Sequence, residues 1–226
     1  MSRLLCALLA TVLLASTNSM NPVQDASAPP AFSVVLENAY VRITQADIPH
    51  GVKSSYTVPA GVSAVVIRLR PLVFSSGIHL SEVQPFRFDR ALFLKSGKVS
   101  NHADSDLDGI LEIHIELKDF PPTSVFDRDA VKLDPSHNKV LFENDRVRVV
   151  DVHFGLGEKG PVVDKRPRVI ILLNDMHADV ARREGDTPSP RDGKAGVIQW
   201  SLGGSQATMN RNETKLDNIV VEIKGK

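Results

Sequence analysis

The sequence predicts an all-β protein of two like-built units behind an export signal. Three observations predict it. One constant spacing relates the two halves of the chain. The apolar runs are short and β-branched, or alternate with a period of two. The first residues form a brief leader, charged and then apolar.

Composition narrows the classes of function. The 226 residues carry 27 Lys+Arg against 27 Asp+Glu, a net charge of zero, with 42% hydrophobic and 5% aromatic residues. Zero net charge without a long basic run argues against a nucleic-acid or anionic-membrane footprint. The apolar content is that of a folded chain. A single Cys excludes an intramolecular disulfide framework and any CxxC metal or redox motif.

The leader comes first. Arg3 supplies a positive start, and residues 4–15 are almost wholly apolar. As a helix that stretch rises about 18 Å, short of the roughly 30 Å of a bilayer core. Ser16-Thr17-Asn18-Ser19 follows, so the segment reads as a cleavable secretory signal. Cleavage after Ser19 and cleavage near Ala26-Ser27-Ala28 both stay open, Pro29 counting against the second. Residues 1–28 are expected to be the signal and a short lead-in. The mature chain is then periplasmic or secreted, with no membrane partner. Cys6 lies in the apolar stretch and leaves with it, which removes thiol chemistry.

The repeat comes next. Leu36-Glu37-Asn38-Ala39-Tyr40-Val41-Arg42-Ile43 resembles Phe142-Glu143-Asn144-Asp145-Arg146-Val147-Arg148-Val149, at the spacing of 106 that separates Glu37 from Glu143. The same spacing pairs Gly51 with Gly157, Lys53 with Lys159 and Gly97 with Gly203. It sets Ala64-Val65-Val66-Ile67 on Ile170-Ile171-Leu172-Leu173, and Ile115-Glu116-Leu117-Lys118 on Val221-Glu222-Ile223-Lys224. Two units follow, 32–120 and 133–226. The linker, 121–132, opens on Pro121-Pro122, which cannot join a sheet interior.

Within the units, Leu111-Glu112-Ile113-His114-Ile115-Glu116-Leu117 alternates like a half-buried strand. Val65-Val66-Ile67 and Val169-Ile170-Ile171-Leu172-Leu173 read as buried strands. Asp192-Gly193 is a hairpin signal. No apolar pattern of helical period is long enough for a substantial helix after the leader.

The second unit runs from Glu143-Asn144 through Gly155-Leu156-Gly157-Glu158-Lys159-Gly160-Pro161 to Gly196-Val197-Ile198-Gln199-Trp200-Ser201-Leu202-Gly203-Gly204. It closes on Asn218-Ile219-Val220-Val221-Glu222-Ile223-Lys224. This order resembles the small single-domain cupins, and with the repeat the whole resembles a bicupin. The resemblance implies two jelly-roll barrels, each with a metal held by two His and a Glu from one motif and a His from a second. Counted from Gly157, the His positions of the first motif are Val163 and Lys165, and the Glu position is Val169 or Ile170. Counted from Gly51 they are Thr57, Pro59 and Ser63 or Ala64. The second motif's His falls on Gln206 or Ala207, and in the first unit near Ser100 and Asn101. Val has no donor atom, and Lys at neutral pH carries its own positive charge, so the family's metal is not expected and no cofactor is called.

The expected function is therefore a non-catalytic small-molecule-binding or structural module, leaning away from an enzyme. Its ligand-lining residues are Lys165, Arg168, Trp200 and Gln206, suited to a small anionic or hydroxylated ligand. Trp200 has core packing as its first expected role and stacking as its second. The rival is a metal-dependent cupin isomerase or oxygenase with unconventional ligands, for which His50 and His102 are the candidates. His114 shares strand parity with Glu112 and Glu116, which an outward polar face explains more simply than a His/carboxylate site. Asp104-Ser105-Asp106-Leu107-Asp108-Gly109 opens like a calcium loop but lacks its closing Glu, and reads as a polar turn. Self-association stays open, with a homodimer as the assembly considered.

Overall fold

A computed structural model describes residues 32–49, 52, 54–74, 77–82, 91–95, 99–102, 110–121 and 127–225. The signal expected over 1–28, His50, Gly51, Lys53, Gly97 and the Asp104–Asp108 loop lie outside these residues.

The first unit holds β1 (Ser33–Glu37), β2 (Val41–Ile48), β3 (Ser54–Thr57), β4 (Ser63–Phe74), β5 (Gly77–Glu82), β6 (Ala91–Leu94), β7 (Val99–His102) and β8 (Ile110–Leu117). Its main sheet has the order β1-β2-β8-β4-β5, with β6 also on β4, while β3 pairs with β7. The second unit opens on one helical turn, α1 (Ala130–Leu133), at the end of the segment expected to link the units. Then come β9 (Asn138–Glu143), β10 (Val147–Phe154), β11 (Val163–Lys165), β12 (Arg168–Leu172), β13 (Met176–Ala181), β14 (Ser189–Gly193), β15 (Ile198–Ser201), β16 (Gly204–Asn210) and β17 (Leu216–Ile223). The sheet β15-β12-β17-β10-β9 faces the sheet β11-β16-β13-β14. All named strand pairs are antiparallel, and the class is all-β with jelly-roll barrels, as the sequence predicts.

The repeated Glu-Asn motif is a turn device. Asn38 Oδ1 accepts from the backbone of Tyr40 (2.7 Å) and Val41 (3.0 Å), and Asn144 Oδ1 from Arg146 (2.8 Å) and Val147 (2.9 Å). These Asx turns carry the chain from β1 to β2 and from β9 to β10. In each unit a Lys at the far end of the repeat closes the turn. Lys118 Nζ donates to Glu37 Oε1 (2.8 Å) and the Asn38 carbonyl (2.7 Å); Lys224 Nζ donates to Glu143 Oε1 (2.6 Å) and the Asn144 carbonyl (2.6 Å).

The spacing of 106 holds for β2 with β10 and for β8 with β17, since Arg42 pairs with Glu116 as Arg148 pairs with Glu222. It does not hold for the next strand. Glu116 faces Ala64 across the ladder, whereas Glu222 faces Arg168, so Ala64 is equivalent to Arg168 and not to Ile170. The loops before β4 and β12 differ by two residues, and a shift of two preserves which face each side chain occupies.

The two main sheets bury one face against each other. Val41, Ile43, Val65, Ile67, Ile113 and Ile115 of the first unit form one core with Val147, Val149, Val169, Ile171, Val221 and Ile223 of the second. The alternate residues of the same strands face the inside of each barrel. This overturns the expected outward face on β8: Glu112 and His114 are 0% exposed and Glu116 is 8% exposed. A strand buried on both faces still alternates in sequence when one barrel interior is polar. Asp192-Gly193 also differs from expectation. It ends β14, paired with His177 and Met176, and the turn follows at Lys194-Ala195-Gly196, where Gly196 has φ +83°.

Candidate functional site

Barrel 2 encloses a cavity of about 860 Å³, the size of a small-molecule site. Its walls are apolar over Val150, Val152, Phe154, Ile170, Met176 and Leu216. At one end stand Lys165, Arg168, Gln206 and Glu222. Register brings them together. Val163 of β11 pairs with Gln206 of β16 and Lys165 with Gly204, while Arg168 of β12 pairs with Glu222 of β17. Gly203, at φ +87°, permits the crossing of these strands: a Cβ there would lie 2.1 Å from the Lys165 carbonyl oxygen.

Arg168 is 3% exposed. Its Nη2 donates to Gln206 Oε1 at 3.2 Å, and its Nη1 is buried without a hydrogen-bond partner. Burial pulls its pKa down to about 10, against the favourable charge of Glu222. It is still a cation at neutral pH. Lys165 keeps part of its surface toward the cavity. Burial, and then the charge of Arg168, bring its pKa down to about 7, with Glu222 and Asp134 opposing. The expectation of a fully protonated Lys165 is therefore corrected: near neutral pH much of it is the free amine.

A buried ion cluster that the sequence did not reveal lies behind this pair. Arg148 Nε donates to Glu222 Oε2 at 2.7 Å; its Nη1 and Nη2 reach Asp129 Oδ1 and Oδ2 at 3.1 and 2.8 Å. Asp129 also caps α1 by accepting from Val131 N at 3.0 Å. Burial opposes the charge of Asp129, but its bonds to Arg148 outweigh it and its pKa falls below the usual range. Arg148 thus shares Glu222 with Arg168, and Arg168 alone is left with an orphan donor. The sequence signal for Arg148 and Glu222 was the repeat itself, since both are duplicated in Arg42 and Glu116. Toward the mouth the lining includes Arg182, Arg183 and Arg191 against Glu184 and Asp192.

Three of the four expected lining residues, Lys165, Arg168 and Gln206, meet in one place. Trp200 does not join them. It borders the cavity, but it pairs with Val169 on the face turned toward the first unit, and its ring lies 5.0 Å from Tyr40. It packs the core between the units.

The family's metal does not fit this end of barrel 2. The inward set at the expected ligand positions is Val163, Lys165 and Gln206, and a buried guanidinium with an unmet donor stands beside it. An orphan N–H calls for an acceptor, and a divalent cation offers none. Among the described residues, no three His, Cys, Asp or Glu side chains are grouped to hold a metal ion. His50 lies outside the described residues; His102 pairs with Ser54 on β7.

Barrel 1 is furnished differently. His114 Nε2 meets Glu112 Oε1 at 2.5 Å, Arg68 Nε donates to Glu112 Oε2 at 2.9 Å, and the Tyr56 hydroxyl donates to Glu116 at 2.8 Å. The rings of Tyr56 and Phe32 lie 3.7 and 4.5 Å from that of His114. Burial, and then the bond to Glu116, push the Tyr56 phenol well above its ordinary range.

No family model matches the sequence, and no curated protein sequence matches it. Solved structures do. A putative glyoxylate-induced protein from Pseudomonas aeruginosa superposes with a TM-score of 0.56 at 10% identity, over 86% of this chain and 79% of that one. AerE from Microcystis aeruginosa gives 0.53 at 12% identity, over 86% and 97%. Oxalate decarboxylase, a bicupin, gives 0.52 at 9% identity, over 86% and 72%. At such identities the likeness speaks for the fold alone, and it agrees with the strand order and the paired barrels described above. The chain has the cupin fold, built twice in one polypeptide.

Proposed function

We propose that the protein is an exported, non-catalytic binding module whose second barrel takes a small organic carboxylate. The observation that carries this reading is the Arg168 guanidinium, 3% exposed with Nη1 unpartnered, in a cavity whose lining is part apolar and part charged. A buried donor left unmet costs about 1–3 kcal/mol, a cost that an arriving carboxylate oxygen removes. Gln206 orients the guanidinium, Lys165 adds a second donor, and the apolar walls receive the body of the ligand. The arginines near the mouth favour entry of anions.

Isothermal titration of the chain with lactate, phenyllactate, malate and phosphate tests the reading. One saturable site for at least one carboxylate is expected, weakened about tenfold or more in Arg168→Gln, as for loss of one charged hydrogen bond. Absence of saturable binding, or binding indifferent to that substitution, would overturn it. Export is tested by N-terminal sequencing of the protein recovered outside the cytoplasm: an N-terminus within residues 17–30 is expected, and an intact Met1 refutes it.

A further inference from the structure

Binding of an anion explains Arg168 but leaves one feature of the cavity unused. Lys165 presents an amine to the same chamber. It lies on the chain three residues before Arg168, across the Arg166-Pro167 turn. The turn is fixed at one end, because Ile223 N donates to the Pro167 carbonyl at 2.8 Å, and at the other by the close approach of Gly203 to the Lys165 carbonyl. The amine and the guanidinium are therefore held on one wall.

We infer that the barrel 2 cavity takes α-oxo carboxylates with an apolar side chain, and that Lys165 captures them as a reversible imine while Arg168 holds the carboxylate. This rests on the carboxylate reading above. In an α-oxo acid the carbonyl carbon is bonded directly to the carboxylate carbon. A carboxylate held by the Arg168 guanidinium thus brings the electrophilic carbon to the wall that carries Lys165, and the side chain extends toward Val150, Phe154 and Met176. An amine partly withdrawn from water beside a fixed cation is the arrangement that makes a lysine nucleophilic at neutral pH. The Nζ lone pair forms the C–N bond, both hydrogens of the neutral amine leave with the carbonyl oxygen as water, and a C=N bond remains. No oxidant, reductant or metal enters the balance, and water reverses the step.

The test is reductive trapping on the full chain. Phenylpyruvate with cyanoborohydride is expected to add the mass of one oxo acid less one oxygen atom at Lys165. Peptide mapping should show occupancy about tenfold or more above that of any other lysine, since ordinary lysines are almost wholly protonated at pH 7. Excess phenyllactate should suppress the adduct, and Lys165→Met and Lys165→Arg should lack it while still unfolding in a cooperative thermal transition. Phenyllactate binding without an adduct at Lys165 overturns the imine and leaves the carboxylate site standing. Adducts on other lysines alone also overturn it. If neither acid binds saturably, and the panel above fails as well, both readings fall together.

Discussion

Replacing Arg168 with methionine separates binding from folding, because the two should move in opposite directions. Arg168 is 3% exposed, and burial pulls its pKa from the ordinary arginine range down to about 10. A lowered pKa on a base means that the folded state disfavours the charged form. The penalty is therefore fully present below about pH 10 and fades as pH rises from there toward the ordinary arginine value. At about 1.4 kcal/mol per unit, the shift is worth about 3 kcal/mol. Against it stands one charged hydrogen bond, to Gln206 at 3.2 Å, of which about 1.5 kcal/mol is lost on substitution. The methionine fills much of the space of the arginine stem. Arg168→Met should thus stabilise the ligand-free protein at pH 7 by about 1–2 kcal/mol, and raise Tm by about 2–8 °C. Glu222 is not stranded, because Arg148 keeps both of its contacts there. Chemical denaturation and a thermal scan measure the stability; titration with phenyllactate measures the loss of binding. A loss of stability of more than about 1 kcal/mol would refute the reasoning. It would mean that Arg168 is needed to balance Glu222, and that its orphan donor marks no ligand.

Three further perturbations test the site and its supports. Lys165 is lowered to about 7 from 10.5, so the folded state holds fewer protons than the unfolded one between these values, and its contribution to stability rises with pH across that window. Stability of the parent relative to Lys165→Met should climb by roughly 1 kcal/mol per pH unit from about 7 to 10, by urea denaturation at each pH; a flat difference would contradict the assigned burial. Gly203→Ala places a Cβ 2.1 Å from the Lys165 carbonyl at φ +87°; it should cost about 2–3 kcal/mol and weaken carboxylate binding, and a neutral result in both assays would dismiss the tight crossing. Trp200→Ala should cost about 3–5 kcal/mol through lost packing on Tyr40. Phenyllactate affinity should stay within about twofold of the parent at a temperature where both are folded, and a larger loss would return Trp200 to the binding site.

Alternation and short β-branched runs made the all-β class legible, because they are local properties written in consecutive residues, and the constant spacing showed that Glu-Asn occurs twice but not that it makes a turn. Lys165, Arg168 and Gln206 were legible because positional counting along the cupin motifs put Lys165 and Gln206 at metal-ligand positions, and Arg168 lies beside them. Burial of Glu112, His114 and Glu116 was not legible. Alternation tells that a strand has two unlike faces, but not that both are covered, and here the second unit covers one of them. Trp200 has the core-packing role expected first, but its partner was not legible: its neighbour on the same face is Tyr40, 160 positions away in the other unit. The two-residue change of spacing at β12 hid the equivalence of Ala64 and Arg168, which only the ladder to β17 reveals.

That equivalence explains the charged end of the chamber in the second barrel. Both barrels keep the Arg-Glu pair of the wall, Arg42 with Glu116 and Arg148 with Glu222. The next position on the neighbouring strand is Ala64 in the first barrel and Arg168 in the second. In the first, Glu116 is met by the Tyr56 hydroxyl instead, and Tyr56 in turn stacks on His114, which is covered by Phe32. The ladder position of His114 in the first barrel is Val220 in the second, where no ring is needed and space is left beside Val150 and Ile170. A barrel that fills itself with rings contributes packing. A barrel that substitutes Val for His, and Arg for Ala, gives up that packing and gains a cavity with an unmet donor. The cost is carried by the shared face, where Ile43, Ile67, Ile113, Ile115, Ile171 and Ile223 are each about 1% exposed or less. Truncating that face in the first unit should therefore impair folding of the second, which a lowered Tm of the whole chain would report.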